Sequence, residues 1–213
     1  MKILGIDEAG RGCVIGPLVI AGVMVDEKGM ELLGELGVLD SKRFTSKERE
    51  EMFSKINSIA LKVKVCVIQP CEIDEANLNY IELRVTSSII SELRPDVAYF
   101  DVPTHPRGVR NYCRYLSHLI SNTTAKLVGE NEADVKYPVV GAASIVAKVE
   151  RDRIIDDLQR RYGDFGSGYP SDEKTRRFIR EWYERRGTLP EMVRRKWKAV
   201  RDIINPQLNL PIP

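Results

Sequence analysis

A chain of 213 residues with 43% hydrophobic and 30% charged side chains can build one substantial core. Its longest apolar runs, such as PLVIAGVMV over 17–25, fall short of the ~18–20 residues that cross a bilayer. The formal net charge is only +2, yet residues 160–201 hold 13 Lys or Arg against 6 Asp or Glu, while the remainder holds 20 against 25. This excludes a membrane helix and directs attention to a polyanionic partner for the basic third. The opening MKILGIDE meets acids too early for a secretory signal, so a cytoplasmic location without membrane association is expected.

In chain order, MKILGID reads as a buried strand ending at Asp7, and 17–25 as a second, β-branched strand. Thr45-Ser46-Lys47-Glu48 matches a capping box. The helix after it sets Met52, Phe53, Ile56 and Ile59 on one face. KVKVCVIQP (62–70) reads as a third strand stopped by Pro70, 79–93 as a helix, and VAYFD (97–101) as a strand ending on Asp101. A helix over 107–120, a short strand and loop over 125–134 and a long helix over 142–163 follow. Two Arg-rich helices close the chain, over 171–187 and 190–204. No repeat interrupts this order. Strands first, strand–helix alternation next and helices last predict a mixed α/β sheet with helical packing. We expect a catalytic domain over 1–160 and a basic helical region over 161–213 packed on it.

The four cysteines, Cys13, Cys66, Cys71 and Cys113, form no CxxC pair, so they read as reduced and packed rather than as a zinc site. Only His105 and His118 are present, which leaves mechanisms built on paired histidines poorly supplied.

Carboxylates are better placed. Asp7 and Asp101 each end a strand, and strand carboxyl ends line the functional crevice of an α/β sheet. Glu8 adjoins Asp7, and Asp134 follows a short strand and precedes a helix. Converged, these acids repel: one like-charged pair at ~4 Å costs about 4 kcal/mol at an effective dielectric near 20. Protons or cations must offset that cost. Carboxylate oxygens suit Mg²⁺ or Mn²⁺, and two such ions support phosphodiester hydrolysis without a histidine.

The turn Gly10-Arg11-Gly12 follows Asp7-Glu8 at once. A dinucleotide fingerprint would require a helix directly after it, whereas Pro17 and the apolar run beyond demand a strand. A turn whose backbone N–H groups approach a nucleic-acid strand fits better, since glycine permits close approach and amide nests favour phosphate oxygens. Arg11 adds a charge there.

The segments GIDEAGRGCVIGP (5–17), LDSKRFT (39–45), FDVP (100–103), ADVKYPVVGAASIVAKVERD (133–152) and GSGYPSD (166–172) occur in that order. Together they resemble ribonuclease HII, the type 2 ribonuclease H, in its archaeal form, over residues 1 to about 200. The resemblance implies a ribonuclease H-like fold, a five-stranded mixed sheet flanked by helices with a C-terminal helical region. It also implies cleavage of RNA in RNA–DNA hybrids and at single ribonucleotides embedded in duplex DNA, leaving 5′-phosphate and 3′-hydroxyl ends. Carried over by motif, Asp7, Glu8, Asp101 and Asp134 are catalytic and hold two Mg²⁺ or Mn²⁺ ions; the choice of Asp134 over Glu130 or Glu132 comes from the motif alone. Gly10, Arg11 and Gly12 resemble the family's 2′-hydroxyl reader, and Tyr169 its partner at the ribonucleotide–DNA junction. Ser41, Lys42, Ser144 and Lys148 are implied contacts to backbone phosphates.

Two other functions use some of these features. A DNA nuclease or integrase core shares the acids but gives no reason for the turn or Tyr169. A non-catalytic nucleic-acid-binding module uses the basic helices but leaves the acids unexplained. A monomer is expected. The tail QLNLPIP (207–213) begins like the Gln-x-x-aliphatic motif of sliding-clamp ligands, although the aromatic pair that completes the motif is missing.

Overall fold

In the computed structural model, described over residues 1–39, 44–120 and 123–205, five strands form one sheet in the order β3-β2-β1-β4-β5. β1 (Ile3–Ala9) and β2 (Leu18–Val25) pair antiparallel, from Ile3 opposite Val25 to Ala9 opposite Val19. β4 (Val97–Asp101) runs parallel to β1, and β5 (Lys126–Glu130) parallel to β4. The sheet is therefore mixed, as expected, with β3 (Lys62–Ile68) at one edge. Every residue of β2 is buried, which explains its unbroken apolar run: a central strand covered on both faces has no polar side to alternate with. At Gly5 a side chain would overlap the backbone of Val139, so this glycine lets a helix approach β1 closely.

Helices α1 (Glu27–Glu35), α2 (Ser46–Ile59), α3 (Pro70–Glu75), α4 (Leu78–Leu93), α5 (Val109–Leu119), α6 (Pro138–Tyr162), α7 (Glu173–Arg186) and α8 (Lys198–Ile204) complete the order. The capping box is present: Thr45 Oγ1 accepts from the Glu48 N–H, and the Glu48 carboxylate accepts from the Thr45 N–H. Met52 and Ile56 are buried on the α2 face foreseen for them.

Three features depart from the sequence expectation. α1 was not anticipated; its Gly29 and Gly34 weaken a helical pattern that the Asp26 cap nevertheless starts. Pro70 both stops β3 and opens α3, because the first helical turn needs no N–H from it. The helix expected over 190–204 is confined to α8. Residues ahead of it are held by long-range pairing: Val193 bridges Ile15, and the Arg194 N–H donates to the Val14 carbonyl at 3.0 Å.

The chain packs as two compact units. The first comprises 1–9, 19–66 and 78–150 and carries nearly the whole sheet. The second comprises 10–18, 67–77 and residues from 151 onward. Its core gathers Val14, Ile15, Ile155, Phe165, Ile179 and Val200. Segments 10–18 and 67–77 thus pack with the C-terminal part of the chain, although they precede residue 160 in sequence.

Candidate active site

Parallel register sets Ile6 beside Phe100, so the next residues along, Asp7 and Asp101, are neighbours; Asp101 ends β4, whereas β1 does not stop at Asp7 as expected but runs on to Ala9, held by its pairing with β2. Ligand oxygens of Asp7, Glu8 and Asp101 lie within 4.8 Å of one another. Asp134 sits in a 3₁₀ turn, Ala133–Val135, just after β5, and is buried. It lies outside that group of three, yet its charge is felt there. Burial foremost, then the charges of Asp101 and Asp134, push the Asp7 carboxyl up to about 7, against the Ser144 hydroxyl and the Glu8 N–H, which favour the anion. Like charges held this close, that of Asp7 buried and those of Glu8 and Asp101 half-buried, fit a hard divalent cation, whose binding would remove the penalty that protonation otherwise relieves.

The loops behind the acids are tied to one another. Asp101 Oδ1 accepts from the Ala133 N–H at 2.9 Å, and the Val102 N–H donates to the Glu130 carbonyl at 2.9 Å. Asn131 Nδ2 donates to the carbonyls of Val102 and Thr104, both at 2.7 Å. Glu132 stands in the left-handed region at φ +56°, a sparsely populated conformation for a non-glycine that such ties maintain. Glu130 is engaged elsewhere: Tyr137 Oη donates to it at 2.6 Å and Lys136 Nζ at 2.9 Å.

Ser144 and Lys148 lie on α6. Ser144 is buried, bonds Asp7 and accepts from Lys148 Nζ at 2.9 Å, a placement behind a carboxylate rather than on an open phosphate-facing surface. Ser41 and Lys42 lie outside the described residues, as does the 207–213 tail.

The second unit holds the glycine turn and Tyr169. Gly10 has φ +87°, and a side chain there would overlap Arg151 and the Pro17 carbonyl, so only glycine fits. Tyr169 is 43% exposed, and a methyl built on Gly12 would lie 3.7 Å from its ring. The two are tied through backbone: the Val14 and Ile15 N–H groups donate to the Gly168 carbonyl at 2.8 and 3.2 Å. Thr175, fully buried, accepts from the Gly168 N–H and donates to the Phe165 carbonyl. Asp172 accepts from the N–H and hydroxyl of Ser167; these bonds hold its carboxyl down to about 2. Buried Arg151 donates to Cys13 Sγ at 3.0 Å and faces the Tyr169 ring, 6.0 Å from its centroid. Arg151, Thr175 and Arg194 were not singled out from the sequence as site-building residues. Arg151 lies inside one of the motifs shared with the family; Arg194, with Arg195 and Lys196, reads from the sequence as a cation for the polyanion, and the structure instead buries it against backbone carbonyls.

The family profile described as Ribonuclease HII matches residues 4–200. A ribonuclease HII of Pyrococcus furiosus is 46% identical over 207 residues, covering 95% of this chain and 91% of that protein. The crystal structure of ribonuclease H2 from Pyrococcus horikoshii OT3 superposes with a TM-score of 0.89 at 40% identity, covering 99% of this chain and all of that one. The ribonuclease HII in a complex with PCNA from Archaeoglobus fulgidus gives 0.85 at 42% identity, covering 94% and 96%. With this mixed sheet, this acidic cluster and these likenesses, the chain belongs to the ribonuclease HII family of metal-dependent endoribonucleases acting on RNA–DNA hybrids.

Proposed function

We propose that this enzyme cuts both the RNA strand of hybrids and single ribonucleotides embedded in duplex DNA, leaving 5′-phosphate and 3′-hydroxyl ends. The convergence of Asp7, Glu8 and Asp101, with Asp7 driven toward its neutral form, is the observation that carries the reading. These three and Asp134 hold two Mg²⁺ or Mn²⁺ ions. The bound ions supply an activated water and charge stabilisation at the leaving oxygen. Asp101, fixed by the Ala133 N–H, presents its second oxygen to the site. Ser144 orients Asp7, and Lys148 orients Ser144.

The Gly10-Arg11-Gly12 turn reads the ribose 2′-hydroxyl, the group that separates RNA from DNA at one position. Tyr169 stacks on the neighbouring sugar and contributes its hydroxyl. Ser41, Lys42 and the α7 arginines contact backbone phosphates. The Archaeoglobus relative was solved in a complex with PCNA, which supports a sliding-clamp contact; the Gln-x-x-aliphatic start of the 207–213 segment makes it the candidate for that contact. The enzyme works as a monomer in the cytoplasm. Cleavage of duplex DNA with one ribonucleotide, compared with all-DNA duplex and a continuous hybrid in Mg²⁺, Mn²⁺ and chelator, tests this. Cutting of all-DNA duplex at a comparable rate, or cutting in chelator, rejects it.

A further inference from the structure

We infer that Arg194 is the positioning residue that aims the amides of the 10–12 turn outward, and thereby sets discrimination for the 2′-hydroxyl; this rests on the reading of that turn proposed above. Arg194 is the largest fully buried side chain among the described residues. Its guanidinium donates from Nη2 to the Gly10 carbonyl at 2.6 Å, from Nη1 to the Arg11 carbonyl at 3.0 Å and from Nε to the Gly16 carbonyl at 3.1 Å. Among the described residues it forms no salt bridge. Buried arginines ordinarily pair with an anion; this one has three carbonyls of a single loop.

The cation itself is fixed. Its guanidinium lies 4.7 Å from the centre of the Trp197 ring. Its backbone N–H donates to Val14, and its carbonyl accepts from the Trp197 N–H at 3.2 Å. Burial lowers the guanidinium to about 10, which leaves it charged at neutral pH.

Peptide geometry carries the consequence outward. In a trans peptide the C=O and the following N–H point in opposite directions, and no peptide bond described here is cis. The Gly10 carbonyl shares its plane with the Arg11 N–H, and the Arg11 carbonyl with the Gly12 N–H. Turning both carbonyls onto Arg194 turns both amides away from it. The Gly12 N–H has no partner among the described residues, as a donor kept for a ligand would not. A lysine would keep the charge but not the planar fork that reaches three carbonyls at once.

The test compares Arg194→Lys, Arg194→Met and Gly12→Ala with wild type, reading kcat and KM on one-ribonucleotide duplex and on continuous hybrid, with melting temperatures. Gly12→Ala is sterically allowed, and its methyl stands in the way of an approaching sugar. Ile203→Ala, in the core of the same unit, controls for stability alone. Both Arg194 variants should lose at least tenfold in kcat/KM on the single ribonucleotide. The ratio of that value to the hybrid value should fall, at temperatures where the control keeps the wild-type ratio. Loss in Gly12→Ala with an unchanged ratio in the Arg194 variants overturns the role of Arg194 and leaves the turn reading standing. A silent Gly12→Ala overturns the turn reading, and the inference with it. Should the Arg194 variants not fold, amide exchange in wild type decides. The Cys13 N–H, bonded to the Gly10 carbonyl at 3.3 Å, should exchange as slowly as that of Val14 if the turn is clamped. Fast exchange at Cys13 alone refutes the clamp.

Discussion

Asp7→Asn should make the metal-free protein more stable, not less. Asp7 carries a carboxyl raised from 3.8 to about 7, chiefly by burial and then by Asp101 and Asp134. A raised acid binds more protons folded than unfolded between these two values, so its contribution falls as pH rises through about 4 to 7 and the full penalty stands above 7. Raising the carboxyl that far corresponds to ~4 kcal/mol. Asparagine abolishes the ionisation and keeps a carbonyl oxygen for the Ser144 hydroxyl. Allowing ~1–2 kcal/mol for less favourable hydrogen bonding, the net gain is ~2–3 kcal/mol. For a chain of this size that is roughly 4–12 °C in Tm. Thermal melts in chelator at pH 8, 5.5 and 4 measure it: a clear gain at pH 8, a smaller one at 5.5 and none at 4. Saturating Mn²⁺ or Mg²⁺ should reverse the order, because the ion stabilises wild type in proportion to its occupancy of a site the variant has damaged. A variant no more stable than wild type at pH 8 in chelator, or a gain independent of pH, refutes the reasoning.

Asp101→Asn should abolish turnover with Tm unchanged or raised, since an amide oxygen can still accept from Ala133; near-normal turnover would remove Asp101 from the site. Tyr169→Phe should lose up to about tenfold on a single embedded ribonucleotide, the worth of one hydrogen bond. Tyr169→Ala should lose more, with smaller losses on a continuous hybrid and little change in melting for so exposed a side chain; equal turnover by wild type and Tyr169→Ala would end its junction role. Replacing Arg177, Arg180 and Arg195 together by alanine should lower the slope of log affinity against log salt by up to about 2.7, at roughly 0.9 per phosphate contact. An unchanged slope in binding titrations would mean these side chains face solvent only.

The acids were legible because each of Asp7 and Asp101 closes a run too apolar to tolerate charge without a reason. Parallel pairing of β1 with β4 then needs no further information to bring them side by side. Asp134 stood out only through its motif, and the structure leaves it outside the group of three. Glu130 and Glu132 are as close in sequence, and what separates them is tertiary: Lys136 and Tyr137 engage Glu130, while Glu132 supplies the left-handed corner before the 3₁₀ turn. No local pattern contains those facts.

The basic C-terminal third shows the limit of charge counting most clearly. Met192-Val193-Arg194-Arg195-Lys196 reads as one cationic stretch suited to phosphates, and each charge counts alike in the sequence. In the fold the three cations have different employment. Arg194 is enclosed by carbonyls that lie 178 to 184 residues away in the chain. The N–H groups of Arg195 and Lys196 both donate to the Asp74 carboxylate, and Lys196 Nζ meets Glu75 at 2.9 Å. Arg194 is thus withdrawn from any polyanion, Lys196 is held only by an exposed ion pair, and the Arg195 side chain, like that of Arg177 on α7, reaches solvent. An arginine used as a many-donor bracket for backbone carbonyls and one used as a mobile counter-charge share a letter and a net charge. What separates them is whether water or peptide oxygens receive the five N–H groups.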